Sequence, residues 1–127
     1  MREFGGGRPK TEDSVYTCTA TESIGDAVYI SGADNVRQAD ASSTSTMPAI
    51  GIIVAKPSST QCLVRTKGIV KGLSGLTAGS RYFISTAAGG ITATAPTGSG
   101  EVVQYIGVAK STTELEICPN LDYSVVP

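Results

Sequence analysis

The chain is 127 residues long, 40% hydrophobic but only 6% aromatic, and carries ten basic residues, eleven acidic residues and no His, for a net charge of −1. A chain of this length forms one domain, and its scattered charges create no field strong enough to attract nucleic acid or an anionic membrane. Because His is the commonest general base and metal ligand, the composition argues against an enzyme, a cofactor and a metal site.

Residues 1–14 form the first distinct segment. They contain three consecutive Gly and mixed charges, and Phe4 is their only aromatic side chain. Such a segment buries too little apolar surface to order by itself. We therefore predict a flexible N-terminal arm over residues 1–14, a β-domain over residues 15–118 and a C-terminal tail over residues 119–127.

The first half of the β-domain shows strand patterns. SVYTCTATES alternates with a period of two, and AVYIS and VRQAD flank a turn of Gly, Ala, Asp and Asn, which predicts a hairpin. AIGIIVA is a continuous apolar run between Pro48 and Pro57 and predicts a strand buried on both faces. In QCLVRTKGIVKGL, Gly68 predicts a bulge or corner where one long strand bends.

The second half continues in the same way. RYFIS and ITATA flank a Gly89-Gly90 turn, EVVQYIGVAK reads as one strand, and TELEI places Leu115 and Ile117 inward. The chain shows about 8–10 short strands and no convincing amphipathic helix. The predicted fold class is all-β, a small antiparallel β-barrel or sandwich with an extended N-terminal arm and a short C-terminal tail.

Three cysteines, Cys18, Cys62 and Cys118, lie far apart and lack metal-binding spacing. We expect three reduced, half-buried thiols, and one disulfide stays open as an alternative. The longest apolar run is about a third of a bilayer span. The protein is therefore expected to be soluble and made in the cytoplasm.

Acidic residues offer two alternative chemistries. Glu114 and Glu116 lie on one strand face, as paired catalytic carboxylates would, but a solvated outer face explains them better. Asp26, Asp34 and Asp40 lie in or near turns and lack the dense spacing of a calcium loop, so we interpret them as turn residues.

Four segments in a fixed order carry a resemblance: GDAVYISG, MPAIGIIVA, GIVKGLSGLTAGSRYFISTAAGGITATAP and EVVQYIGVAKSTTELEI. Together they span Gly25 to Ile117. This order resembles a β-domain of structural proteins of tailed bacteriophages, found in capsid decoration (cement) proteins and in modules of tail fibres or baseplates. The resemblance implies a β-rich virion protein that is not an enzyme.

The decoration role implied by this resemblance is binding to the outer capsid surface, where the protein bridges and stabilises neighbouring major capsid proteins. It would be made in the host bacterial cytoplasm and act as a homo-oligomer, with a trimer favoured over a dimer. The alternative is a trimeric tail-fibre or baseplate module that binds host surface glycans or other tail proteins. The expected protein-interface residues lie in the arm and the tail: Arg2, Phe4, Arg8, Lys10, Tyr123 and Val125.

Overall fold

The computed structural model describes residues 11–127. Within this range it contains eleven strands and one short 3₁₀ helix, Thr44–Thr46. The strands are β1 (Glu12–Thr17), β2 (Ala27–Gly32), β3 (Asn35–Gln38), β4 (Ala49–Ser58), β5 (Gln61–Val70), β6 (Arg81–Ile84), β7 (Ile91–Thr92), β8 (Val102–Val103), β9 (Tyr105–Ala109), β10 (Leu115–Ile117) and β11 (Ser124–Val125). The all-β prediction is confirmed, and in this part of the chain no helix is long and apolar enough to cross a membrane.

Strands β1 to β5 close into a barrel in the order β1-β3-β2-β4-β5. Antiparallel pairing joins β3 to β2, β2 to β4 and β4 to β5. The ring closes at β1, which pairs with β5 along its whole length and with β3 through one parallel bridge between Thr17 and Asn35. Of the two predicted architectures, the barrel is the one observed.

Strand β5 belongs to two sheets and bends at Gly68. Its first part pairs with β4 and β1 in the barrel. From Gly68 to Val70 it pairs with β10, which continues through β9 and β6 to β7; these strands form the second sheet. Gly68 has φ +117, and a Cβ there would lie 2.9 Å from Thr11 Oγ1. The predicted bend at Gly68 is confirmed.

The barrel wall separates two apolar clusters. The inner cluster fills the barrel and consists of Cys18, Val28, Val36, Ile53, Cys62 and Val64. The larger outer cluster joins the barrel to the second sheet and includes Ile52, Ile84, Ile106, Leu115 and Ile117. Ile52 and Ile53 are adjacent in β4 and both fully buried, because each belongs to a different cluster. The run AIGIIVA is thus buried on both faces, as predicted.

Gln104 interrupts the stretch that we predicted as one strand, EVVQYIGVAK. Its fully buried side chain accepts a hydrogen bond from the Ala49 N–H and donates one to the Ala49 carbonyl, both at 2.8 Å. The amide thus satisfies the backbone of Ala49 as a neighbouring strand would. The stretch is divided into β8, which pairs with β11, and β9, which pairs with β6 and β10.

Both ends of the described chain pack on the domain. Strand β1 begins at Glu12, so residues 12–14 of the predicted arm pair with β5. In the predicted tail, β11 pairs with β8, and Tyr123 packs against the outer cluster. The tail therefore folds back onto the domain.

Candidate functional site

An apolar groove lies over the inner cluster of the barrel; we call it the mouth groove. Its volume is about 360 Å³, and its lining residues are Glu12, Tyr16, Ile50, Thr66, Lys67, Cys118, Pro119 and Leu121. Tyr16 and Ile50 form its apolar floor, because both pack against the inner cluster while remaining partly exposed. The groove is thus an apolar opening beside the inner cluster.

A β-bulge places Ile50 in the mouth groove. Val28 pairs with Gly51 and Tyr29 pairs with Ala49, so Ile50 is the extra residue between two paired positions. A bulge redirects the side chain of its extra residue. Gly51 next to it allows close strand packing, because a Cβ at that position would lie 2.1 Å from the Arg65 carbonyl oxygen.

The far wall of the groove is the segment that follows β10. Its backbone is fixed to β9 by two hydrogen bonds, in which the Cys118 N–H donates to the Ile106 carbonyl and the Asn120 N–H donates to the Tyr105 carbonyl. Leu121 is 58% exposed. The wall is therefore held in place while one of its apolar side chains faces solvent.

A two-armed ion pair fixes the near wall, which is β1. Arg65 Nε and Nη2 donate to the two Asp13 carboxylate oxygens at 2.8 and 2.9 Å, and Arg65 Nη1 donates to the Ile69 carbonyl at 2.7 Å. The hydrogen bonds and the positive charge of Arg65 hold the pKa of Asp13 below its ordinary value. Arg65 therefore links Asp13, at the start of β1, to Ile69, which follows the Gly68 bend in β5.

The three thiols are unpaired, and their burial differs from the half-buried state that we predicted. Cys18 and Cys62 are fully buried in the inner cluster, whereas Cys118 is exposed because it lies past the end of β10. Burial, together with a hydrogen bond to Cys18, raises the pKa of Cys62 to about 12. Of the three, only Cys118 is accessible from the mouth groove.

The acidic residues serve local structure, as we interpreted them. Asp26 accepts hydrogen bonds from the Ser23 N–H and from Gln38 Nε2, and Asp40 accepts them from the N–H and hydroxyl of Ser42. Among residues 11–127, no three His, Cys, Asp or Glu side chains converge in a way that could hold a metal ion.

Of the residues predicted for the interface, the two that the structure describes, Tyr123 and Val125, are not among the residues that line the mouth groove. The other four, Arg2, Phe4, Arg8 and Lys10, lie outside the described residues. Tyr123 is half-buried against the outer cluster, and Val125 is 46% exposed on β11. The sequence analysis missed the groove residues, and the one available signal was Gly51, since a glycine inside a strand pattern indicates a bulge or a close approach.

Comparison with protein-family models, with curated proteins and with solved structures gives no match for this chain.

Proposed function

We propose that this chain is a structural protein of a tailed-bacteriophage virion that binds the outer capsid surface and bridges neighbouring major capsid proteins. The observation that carries the proposal is the order of the four sequence segments between Gly25 and Ile117. Those segments correspond to β2, to most of β4, to the end of β5 with β6 and β7, and to β8 through β10. The resemblance therefore follows the strands that build the body of the molecule.

Strand β1 supplies a surface suited to this role. Only Thr17 pairs with β3, so in the described part of the chain the edge of β1 before Thr17 has no strand partner. Val15 in the same strand is 60% exposed. An open edge with an exposed apolar side chain can add a strand from a neighbouring protein. The mouth groove adjoins this edge, because Glu12 and Tyr16 belong to both.

Attachment to a capsid would draw on many such contacts at once. A homo-oligomer, with a trimer favoured, presents several copies of each surface, and a repeating lattice holds them at high effective concentration. Modest contacts per copy then give stable occupancy without a catalytic site. Arm residues Arg2, Phe4, Arg8 and Lys10 would extend the contact to the major capsid protein.

The test is binding to capsids of the encoding phage from which this protein has been removed. We compare wild type with Val15→Lys, and use Ile24→Lys as the matched control, because Ile24 is similarly exposed, at 62%, but lies outside β1. We expect wild type to bind and to raise the temperature of capsid rupture, Val15→Lys to lose at least about tenfold in affinity, roughly 1.4 kcal/mol, and Ile24→Lys to behave as wild type. Failure of the wild-type protein to bind would refute the proposal.

The second candidate, a tail-fibre or baseplate module that binds host surface glycans or tail proteins, has the same segment order in its favour. Immunogold labelling of intact virions separates the two candidates. Gold label on the head supports the decoration role. Gold label on the tail refutes the decoration role and supports the tail module.

A further inference from the structure

The connection between β1 and β2, residues 18–26, is hydrogen-bonded to β3 and to the second half of β4; we call it the strap. We propose that the strap is an acid-released closure of the barrel, held by the buried carboxylate of Glu22 and the ammonium group of Lys56. Protonation of Glu22 frees the strap and opens the inner cluster to solvent. This inference concerns the free protein and does not depend on the proposed virion role.

Backbone hydrogen bonds fix both ends of the strap. At its start, the Cys18 N–H donates to the Thr60 carbonyl at 2.9 Å. At its end, the Gly25 N–H donates to the Ile53 carbonyl at 2.8 Å, and the Ile53 N–H donates to the Asp26 carbonyl at 2.9 Å. The middle of the strap lies between these fixed points and is held by side chains.

Glu22 and Lys56 are those side chains, and their hydrogen bonds meet on Thr19. Glu22 is 2% exposed, and its Oε1 accepts from the N–H and the hydroxyl of Thr19 at 2.8 and 2.7 Å. Lys56 Nζ, on β4, donates to the Thr19 carbonyl at 2.8 Å and to the Glu22 carbonyl at 2.6 Å. A carboxylate this deeply buried is stable as an anion only when such partners compensate for its lost hydration. Loss of either side chain's contacts therefore loosens the same segment.

The strap covers two buried thiols. Cys18 is its first residue and belongs to the inner cluster together with Cys62. Burial is the main cause of the raised pKa of Cys62, and the negative charge of Glu22 contributes to it, which places that carboxylate near the thiol. Opening of the strap therefore makes both thiols accessible to a reagent.

The charge of Glu22 sets the direction of the pH dependence. Burial raises the pKa of Glu22, but the hydrogen bonds from Thr19 and the charge of Arg37 outweigh burial, so this pKa lies below its ordinary value of 4.5. The carboxylate therefore stabilises the closed strap above pH 4.5, and this contribution is lost as pH falls through the folded pKa. The ionisable groups that face Glu22 from neighbouring strands are Arg37 on β3, Lys56 on β4 and Cys62 on β5, and none of these is a carboxylate.

The experiment uses the full chain at neutral and at acidic pH. It follows hydrogen exchange of the Thr19 amide and the reaction of Cys18 with a pyridyl disulfide, a thiol reagent that also works in acid. In wild type we expect both rates, corrected for the intrinsic effect of pH, to rise at least about tenfold in acid, because hydrogen bonds to a charged group are roughly twice as strong as neutral ones. Glu22→Gln should show the fast rates already at neutral pH and lose the pH dependence.

Three controls separate Glu22 from other causes. Glu116→Gln removes an exposed carboxylate on β10 and should behave as wild type. Asp26→Asn changes the other carboxylate of the strap and should keep the pH dependence. Exchange of the Ile84 amide, which donates to the Gln104 carbonyl, reports unfolding of the whole molecule and should stay slow.

The proposal is overturned if the wild-type rates do not change with pH, or if they rise only together with exchange at Ile84. A pH dependence that survives in Glu22→Gln also overturns it. Should that variant fail to fold, Lys56→Met supplies the test, because it removes the ammonium group and keeps the aliphatic chain. Unchanged rates at Thr19 and Cys18 in Lys56→Met would then refute the closure.

Discussion

At the residue scale, burial divides the three cysteines into two kinds. Cys18 and Cys62 lie in the inner cluster, and the pKa of Cys62 is raised to about 12, so its thiolate is scarce at neutral pH. The thiolate is the reactive form. We expect a thiol reagent to modify one cysteine per folded chain, Cys118, and all three after unfolding in denaturant. Mass spectrometry of the modified protein checks this, and rapid labelling of two or three sites in the folded state would contradict it.

The ion pair between Asp13 and Arg65 gives a second prediction at this scale. Asp13→Asn should lower the free energy of unfolding at neutral pH by up to about 1 kcal/mol, because the pair is two-armed but partly open to solvent. Since the pKa of folded Asp13 lies below the ordinary value of 3.8, this contribution is present above pH 3.8 and is lost as pH falls through the folded pKa.

Urea unfolding at neutral and acidic pH measures this effect. The control is Glu116→Gln, because Glu116 is exposed on the outer face of β10. A difference between wild type and Asp13→Asn that persists undiminished at low pH would show that the carboxylate charge is not its cause.

At the scale of the strand, the close approach of β4 and β5 at Gly51 governs the barrel wall. A Cβ there would lie 2.1 Å from a backbone oxygen, which has no flexible side chain to move aside. We expect Gly51→Ala to destabilise the fold by about 3 kcal/mol, at the upper end of the usual cost of overpacking.

The matched control for this prediction is Gly72→Ala. Gly72 has φ +82 and no atom within 4 Å of an added Cβ, so its cost comes from backbone strain alone, about 1–2 kcal/mol. Denaturant unfolding of both variants compares them. If Gly72→Ala cost as much as Gly51→Ala, the close strand contact would not be the cause.

Strands were predictable from sequence where their pattern is local. AIGIIVA and TELEI reveal their buried positions by apolar spacing alone, and Gly68 marks the bend within its own strand. The role of Gln104 was not predictable, because its side chain binds the backbone of Ala49, 55 residues away in sequence. Pattern rules consider neighbours along the chain and do not include such a partner.

The mouth groove was hidden for the same reason. Tyr16 and Ile50 resemble ordinary strand residues, and they become a site only because β1, β4, β5 and the segment after β10 meet in space. The bulge that exposes Ile50 depends on the pairing of β4 with β2, which the sequence of β4 alone does not determine.

At the scale of the whole molecule, two apolar clusters share one wall. Because β5 is hydrogen-bonded in both sheets, we expect the barrel and the second sheet to unfold together. Ile52→Ala and Ile53→Ala remove side chains from different clusters, and each should cost about 2–5 kcal/mol while leaving a single transition.

Calorimetry tests the prediction of a single transition. The calorimetric enthalpy of unfolding and the van't Hoff enthalpy agree when a transition is two-state. Two separate transitions in either variant would show that the clusters are independent units.

The shared wall also has a consequence for the order in which the protein is synthesised. All five barrel strands lie between residues 12 and 70, so the ribosome completes them before the second sheet exists. Until β9 and β10 emerge, the outer face of the barrel, with Ile52 on it, lacks the residues that later cover it, among them Ile106 and Leu115. The nascent chain therefore passes through an interval in which the barrel strands have been made but the residues that cover Ile52 have not, and exposed apolar surfaces of this kind favour aggregation.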